Sequence, residues 1–236
     1  MLPAASDIPI PVALNSHQIA LSSGVKARLQ PVSNANGEIV CYEVLSYFSD
    51  VSGSPLPPPS IFSSMSIREK NRHTLTLAKL ATKKVEKPIS LNLFGCQLED
   101  LCFVEELCQT LRVGDVIELV EQSPIFVDES TTKALDILEA SGIQVALDDF
   151  GSGHFNFDLL ALEQVNYLKL DMLLFRKIYA SEQAILTLQG LVKSLRCYDV
   201  KVVVEGIESQ AELESCLLAG ADLFQGYHLG KPFLIN

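Results

Sequence analysis

From residue 88 onward, short runs rich in β-branched and large apolar residues alternate with longer stretches whose apolar positions recur at helical spacing. The runs PISLNL (88–93), DVIELVEQ (115–122), IQVALDDF (143–150), VNYLKLD (165–171), KVVVEG (201–206) and ADLFQG (221–226) read as strands. Helices are predicted between them over 97–112, 125–141, 156–163, 172–198 and 208–219; Leu186, Leu188, Leu191, Val192 and Leu195 mark the apolar stripe of the fourth. Repeated strand–helix units imply a parallel sheet. Two earlier runs, KARLQPV (26–32) and EIVCYEVLS (38–46), flank SNANGE and read as a hairpin. The eight strands predict an α/β fold, a (β/α)8 barrel whose first strand is antiparallel to its neighbour. The Pro-, Ser- and Gly-rich stretch 49–60 has no periodicity and reads as a surface loop, followed by a helix over about 66–86. Residues 1–24 read as a helical or extended lead-in, and one domain spanning 1–236 is expected.

Composition narrows the function. The chain has 236 residues and 48% hydrophobic content, enough for one barrel-sized core. Its 29 acidic residues against 18 basic ones argue against DNA, whose phosphate backbone calls for a basic surface. The six cysteines lack CxxC spacing and read as reduced, mostly buried thiols. No basic, apolar leader opens the chain and no run approaches the about 20 residues needed to cross a bilayer, so a soluble cytoplasmic protein is expected.

In a parallel barrel the C-terminal strand ends share one mouth. The predicted strands deliver Glu43, Asn92, Glu118 with Glu121, the adjacent pair Asp148 and Asp149, Lys169 with Asp171, Glu205 with Glu208, and Gln225 to that rim. A single polar residue where a strand leaves the core is ordinarily just solvated. Five or six carboxylates together repel one another and call for cations. An oxygen-only donor set suits Mg2+ or Mn2+ better than zinc. The Asp148–Asp149 pair could serve two ions about 3.5–4 Å apart, a clamp for attack on a phosphodiester. His73, His154 and His228 read as polar surface groups.

The segments CYEVLSYF, SLNLF, IELVEQ, ALDDFGSG, YLKLD, VVEGIES and FQGYHLGKP resemble, in order and spacing, the EAL-domain cyclic di-GMP phosphodiesterases, over about residues 25 to 233. The resemblance implies a modified TIM barrel that hydrolyses cyclic di-GMP to linear pGpG. It implies metal ligation by Glu43, Asn92, Glu118, Asp148 and Glu205, with Asp149 holding a second ion, and Lys169 near the attacking water. It places Gln30, Leu45, Tyr47 and Gln225 at the substrate, and Glu121, Gly151, Gly153, Asp171 and Glu208 in support. Calcium is expected to bind without supporting hydrolysis, since it prefers longer and more flexible coordination.

Three positions depart from the pattern. Val44 stands for the alanine of the signature, a packing change. Tyr47 stands where an arginine usually faces a substrate phosphate, and a phenol cannot reproduce that charged grip. His154, Phe155 and Asn156 replace the usual Tyr-Ser-Ser of a loop that couples metal binding to dimerisation in the family. The rival reading is a degenerate module that senses the nucleotide or binds a regulatory protein. Retention of every ligand position favours the enzyme. With no sensor or cyclase segment in the chain as read, control is expected from expression, partners or self-association, a homodimer included.

Overall fold

The alternation of strands and helices closes into a barrel in the computed structural model, which describes residues 25–50, 52–120, 127–150, 159, 162–170, 176 and 182–236. The strands are β1 (Lys26–Asn34), β2 (Ile39–Ser49), β3 (Pro55–Leu56), β4 (Ile89–Phe94), β5 (Val116–Val120), β6 (Gln144–Phe150), β7 (Val165–Leu170), β8 (Lys201–Val204), β9 (Leu223–Gln225) and β10 (Phe233–Ile235). The helices are α1 (Pro58–Phe62), α2 (Ile67–Lys84), α3 (Gly95–Leu98), α4 (Leu101–Thr110), α5 (Glu129–Ala140), α6 (Glu182–Arg196) and α7 (Gln210–Ala219). The predicted helix 156–163 (apart from Leu159, Leu162 and Glu163) and most of 172–181 lie outside the described residues, as do Glu121, Gly151, Gly153, His154 and Asp171.

β2 and β4 through β9 run parallel to one another, and β1 closes the ring antiparallel to both β2 and β9. The reversal follows from the short β1–β2 connection, which cannot hold the crossover a parallel pair requires. Asn34 builds that turn: its Oδ1 accepts from the backbone N–H of Asn36 at 2.9 Å and of Glu38 at 3.0 Å. β10 adds an antiparallel strand to the outer edge of β1.

Four expectations need correction. The stretch 49–60 is not all loop: β3 pairs with the end of β2, and α1 buries Ile61. Proline at the first helical positions presets φ for α1, and five residues are too few to show a period. The predicted helix 97–112 is two helices, because the Asp100 side chain accepts from Phe103 N–H and caps a new start. In α6, Leu188, Val192 and Leu195 are buried, whereas Leu186 is 60% exposed. Cys102 and Cys197 are exposed, while Cys41 and Cys216 are buried with their thiols pushed up to about 12, chiefly by burial.

Helix ends are fixed locally. Ser66 and Glu69 form a reciprocal cap on α2, and Ser209 and Glu212 do the same on α7, so that each helix start has free N–H groups matched. At the N-terminal end of the barrel Asp115 is fully buried, and both its carboxylate oxygens are matched. Oδ1 accepts from Ile89 N–H at 2.9 Å and Arg112 Nη2 at 3.2 Å, and Oδ2 accepts from Arg112 N–H at 2.8 Å and Nε at 3.3 Å. Arg112 also donates to the carbonyls of Val85, Glu86 and Lys87, tying α2's exit to β4. Above this clamp a small cavity of about 100 Å3 fills the barrel floor, with Cys41, Ser90, Ala146 and Tyr167 among its walls. No described helix is long and apolar enough to cross a membrane.

Candidate functional site

Strand register carries the polar side chains to one level of the C-terminal mouth. Asn92 lies opposite Glu118, Glu43 opposite Ser90 on one side and Gln30 on the other. Alternation along a strand would normally send Asp148 and Asp149 to opposite faces. It is broken here. The β6–β7 register shifts between Leu147 and Phe150, and Asp149 adopts φ 59°, a left-handed conformation that a non-glycine residue takes only where its surroundings hold it there. As a result Asp148, Asp149 and Glu205 each present an oxygen, all within 4.8 Å of one another.

Lys169 occupies the centre of the mouth, and it is 2% exposed. Its Nζ lies 2.6 Å from Glu118 Oε2, 2.6 Å from Glu205 Oε1, 3.1 Å from Asp148 Oδ1 and 3.9 Å from Glu43 Oε1. Burial alone would pull the ammonium down, but Asp148, Glu118, Glu205 and Glu43 together outweigh it and hold Lys169 well above its usual range. Burial pushes Glu118 well above the ordinary carboxylate range; Lys169 opposes this, and Glu43, Asp148 and Glu205 add to it. Glu205 is raised to about 8 by burial, against Lys169, with Asp148 and Glu43 contributing. One ammonium is too little charge for three buried carboxylates and the half-buried Glu205.

Amides complete the ring. Gln225 Nε2 donates to Glu43 Oε2 at 2.6 Å, and Asn92 Nδ2 donates to Glu43 Oε1 at 3.3 Å. Their carbonyl oxygens, Asn92 Oδ1 and Gln225 Oε1, are buried with no donor among the described residues. Asp148 Oδ1 is likewise unmatched by a hydrogen bond: Lys169 is near enough for attraction but not aligned. Buried oxygens without donors, next to clustered carboxylates, are the donor set a hard divalent cation takes. The residues present therefore fit metal.

The segment after β8 is held against the one after β9. Ile207 N–H donates to Gln225 O at 3.1 Å and His228 N–H to Ile207 O at 3.0 Å. A Cβ on Gly226 would stand 2.1 Å from the Ile207 carbonyl oxygen, so only glycine permits this approach, which sets Glu205 beside Gln225. Glu208 is exposed and pairs with Arg176 at 2.5 Å. Gln30 and Leu45 line the mouth. Tyr47 lies under the Arg28 guanidinium, 4.7 Å from its ring centroid.

His73 is not a surface group. It is 8% exposed, hydrogen-bonded through Nε2 to Ser46 Oγ at 2.9 Å and stacked on Phe48, and burial lowers it to about 4. Its place in the predicted helix 66–86 carried a signal, since it shares a helical face with Leu77 and Ala81. His228 is exposed and bonds to Gln210.

The EAL domain model matches residues 15–232, nearly the whole chain. The chain belongs to the EAL domain family. Among relatives of this EAL protein is the probable cyclic di-GMP phosphodiesterase PdeG of Escherichia coli K12, 25% identical over 224 residues, covering 86% of this chain and 43% of PdeG. Another is the cyclic di-GMP phosphodiesterase RocR of Pseudomonas aeruginosa, 25% identical, covering 88% of this chain and 57% of RocR. The chain thus spans about half the length of these relatives. A calcium and cy-diGMP complex of Klebsiella pneumoniae BlrP1 superposes with a TM-score of 0.74 at 25% identity, covering 90% of this chain and 56% of that one. The EAL domain protein of Listeria monocytogenes matches with a TM-score of 0.77 at 20% identity, covering 88% and 87%, a likeness of fold.

Proposed function

We propose that this EAL domain hydrolyses cyclic di-GMP to linear pGpG, with Mg2+ or Mn2+ held by Glu43, Asn92, Glu118, Asp148, Asp149 and Glu205. The observation that carries the reading is the imbalance at the mouth: the buried Glu43, Glu118 and Asp148 and the half-buried Glu205 share the Lys169 ammonium, and Asn92 Oδ1 and Gln225 Oε1 have no donor among the described residues. Relatives named cyclic di-GMP phosphodiesterases, and a neighbour seen with calcium and the dinucleotide, support the substrate. Bound divalent cations would supply Lewis acidity at the scissile phosphate and lower the pKa of an attacking water. Lys169 Nζ, held among Glu118, Asp148 and Glu205, would orient that water and hold positive charge beside the phosphoryl oxygens on which negative charge builds. Glu43, gripped by both amides, keeps its orientation whether or not a ligand is present. Gln30 and Leu45 shape the wall that the nucleotide meets. Action in the cytoplasm, with thiols reduced, fits this reading.

Incubating the protein with cyclic di-GMP and Mg2+ or Mn2+, and resolving products by chromatography, is the test. Linear pGpG that forms with metal and disappears with EDTA supports the reading. Binding without any product, in either metal, would instead favour a nucleotide sensor.

A further inference from the structure

The mouth opens into two lobes that share Asp148. One, of about 370 Å3, holds Glu43, Lys169, Glu205 and Gln225. The other, of about 320 Å3, runs from Asp148 and Asp149 past Asn92 and Leu45 to Arg28. Among the described residues, Arg28 is the only arginine or lysine lining the second lobe. It sits directly across the β1–β2 pair from Leu45 and diagonally from Tyr47, so the three side chains share one face of the ribbon. The Tyr47 ring supports the guanidinium from one side at 4.7 Å, a stack that limits its rotamers and leaves the planar edge with its N–H donors available. Arg28 is exposed, and it forms no ion pair with a carboxylate among the described residues. The other arginines that enter ion pairs, Arg112, Arg176 and Arg196, are committed to Asp115, Glu208 and Asp222.

We propose that Arg28, held on Tyr47, is the residue that grips a phosphate oxygen of the ligand in the second lobe. The inference rests on the cyclic di-GMP reading, since a ligand with two phosphates calls for positive charge beyond the cation sites. The aromatic ring at position 47 then acts as a positioning residue for the guanidinium of its cross-strand neighbour. A charge-assisted, bidentate contact of this kind changes affinity by about tenfold or more. Because it holds ground state and transition state alike, its loss raises KM and leaves kcat nearly unchanged.

The experiment is titration calorimetry of cyclic di-GMP in Ca2+, with melting curves and Mg2+ or Mn2+ kinetics, for the parent, Arg28→Ala, Arg28→Lys and Arg28→Ala/Tyr47→Arg. The expected result is a well-folded Arg28→Ala variant whose Kd and KM rise about tenfold or more while kcat stays within about twofold. Lysine should restore part of the affinity, and the double variant should regain affinity by placing a guanidinium on the same face. Arg28→Ala binding as tightly as the parent overturns the proposal, and so does a fall in kcat with KM unchanged. A parent that binds no cyclic di-GMP overturns the functional reading as well; a parent that binds, with Arg28→Ala unaltered, overturns this inference alone.

Discussion

The barrel buries carboxylates at both ends, and the two ends treat them differently. At the floor, Asp115 has both oxygens matched by Arg112 and the Ile89 N–H, and the arginine spends its remaining donors on backbone carbonyls. At the mouth, Glu43, Glu118, Asp148 and Glu205 divide one ammonium, and three buried oxygens go without hydrogen-bond donors. A fully satisfied buried charge holds structure together; an under-satisfied cluster is costly in the folded state and persists where a ligand completes it. The contrast separates a carboxylate whose oxygens are both matched from carboxylates that still offer oxygens to a ligand, although Glu43, Glu118 and Asp148 are buried as Asp115 is.

Removing the mouth's function should produce the largest effect. Glu43→Gln or Asp148→Asn, or EDTA added to the parent, is expected to abolish pGpG formation while the melting temperature stays near or above that of the metal-free parent, because one repulsive charge is gone. Turnover at the parental rate in these variants would break the assignment. Asp115→Ala should do the opposite: it leaves the Ile89 N–H and Arg112 Nε without their acceptor and costs about 3 kcal/mol, the low end for loss of one partner of a buried pair because Arg112 is partly exposed and keeps its carbonyl partners. Denaturant titration would show the loss, and activity per folded molecule should be unchanged.

His73 provides a pH test near the second lobe. Its folded pKa of about 4 lies below the unfolded value of 6.5, so the unfolded chain binds the extra proton first. Stability is therefore expected to fall as pH drops from 6.5 toward 4, by on the order of 3 kcal/mol in full. Melting curves across that range should be flatter for His73→Gln, and identical pH slopes would refute the buried neutral imidazole. The smallest effect is cation binding itself. At a hundredfold excess over Kd, Ca2+ should stabilise the parent by about 2.7 kcal/mol and support no hydrolysis. The stabilisation should vanish in Asp148→Asn and persist in a folded floor variant such as Asp115→Asn. Comparable rates in Ca2+ and Mg2+ would overturn the geometric distinction between the ions.

The strands and the mouth residues were legible in the sequence because an apolar run ending in a polar residue is a local pattern. PISLNL and KVVVEG became β4 and β8 with their ends within a residue or two, and the strand ends bring Glu43, Asn92, Asp148 and Glu205 to one mouth. Short or interrupted elements were not legible. α1 is too brief to show a period, and a capping aspartate at position 100 looks like any polar residue until the next turn bonds to it. Asp115 passed unnoticed because it opens the run DVIELVEQ as any polar residue might, and its partner Ile89 is 26 residues away.

The sequence by itself determined the order of the elements, the antiparallel opening hairpin and the list of groups able to hold a hard cation. Spacing of apolar residues and the length of a turn decide these within a dozen residues. Only the tertiary structure decided how those groups meet. It turned Asp148 and Asp149 to one side through a register shift, set Lys169 at the centre of four carboxylates from four other strands or strand ends, and stacked Arg28 on Tyr47 across a ribbon. Such contacts depend on register and closure of the ring, which follow from packing over the whole barrel and are written in no single segment of the chain.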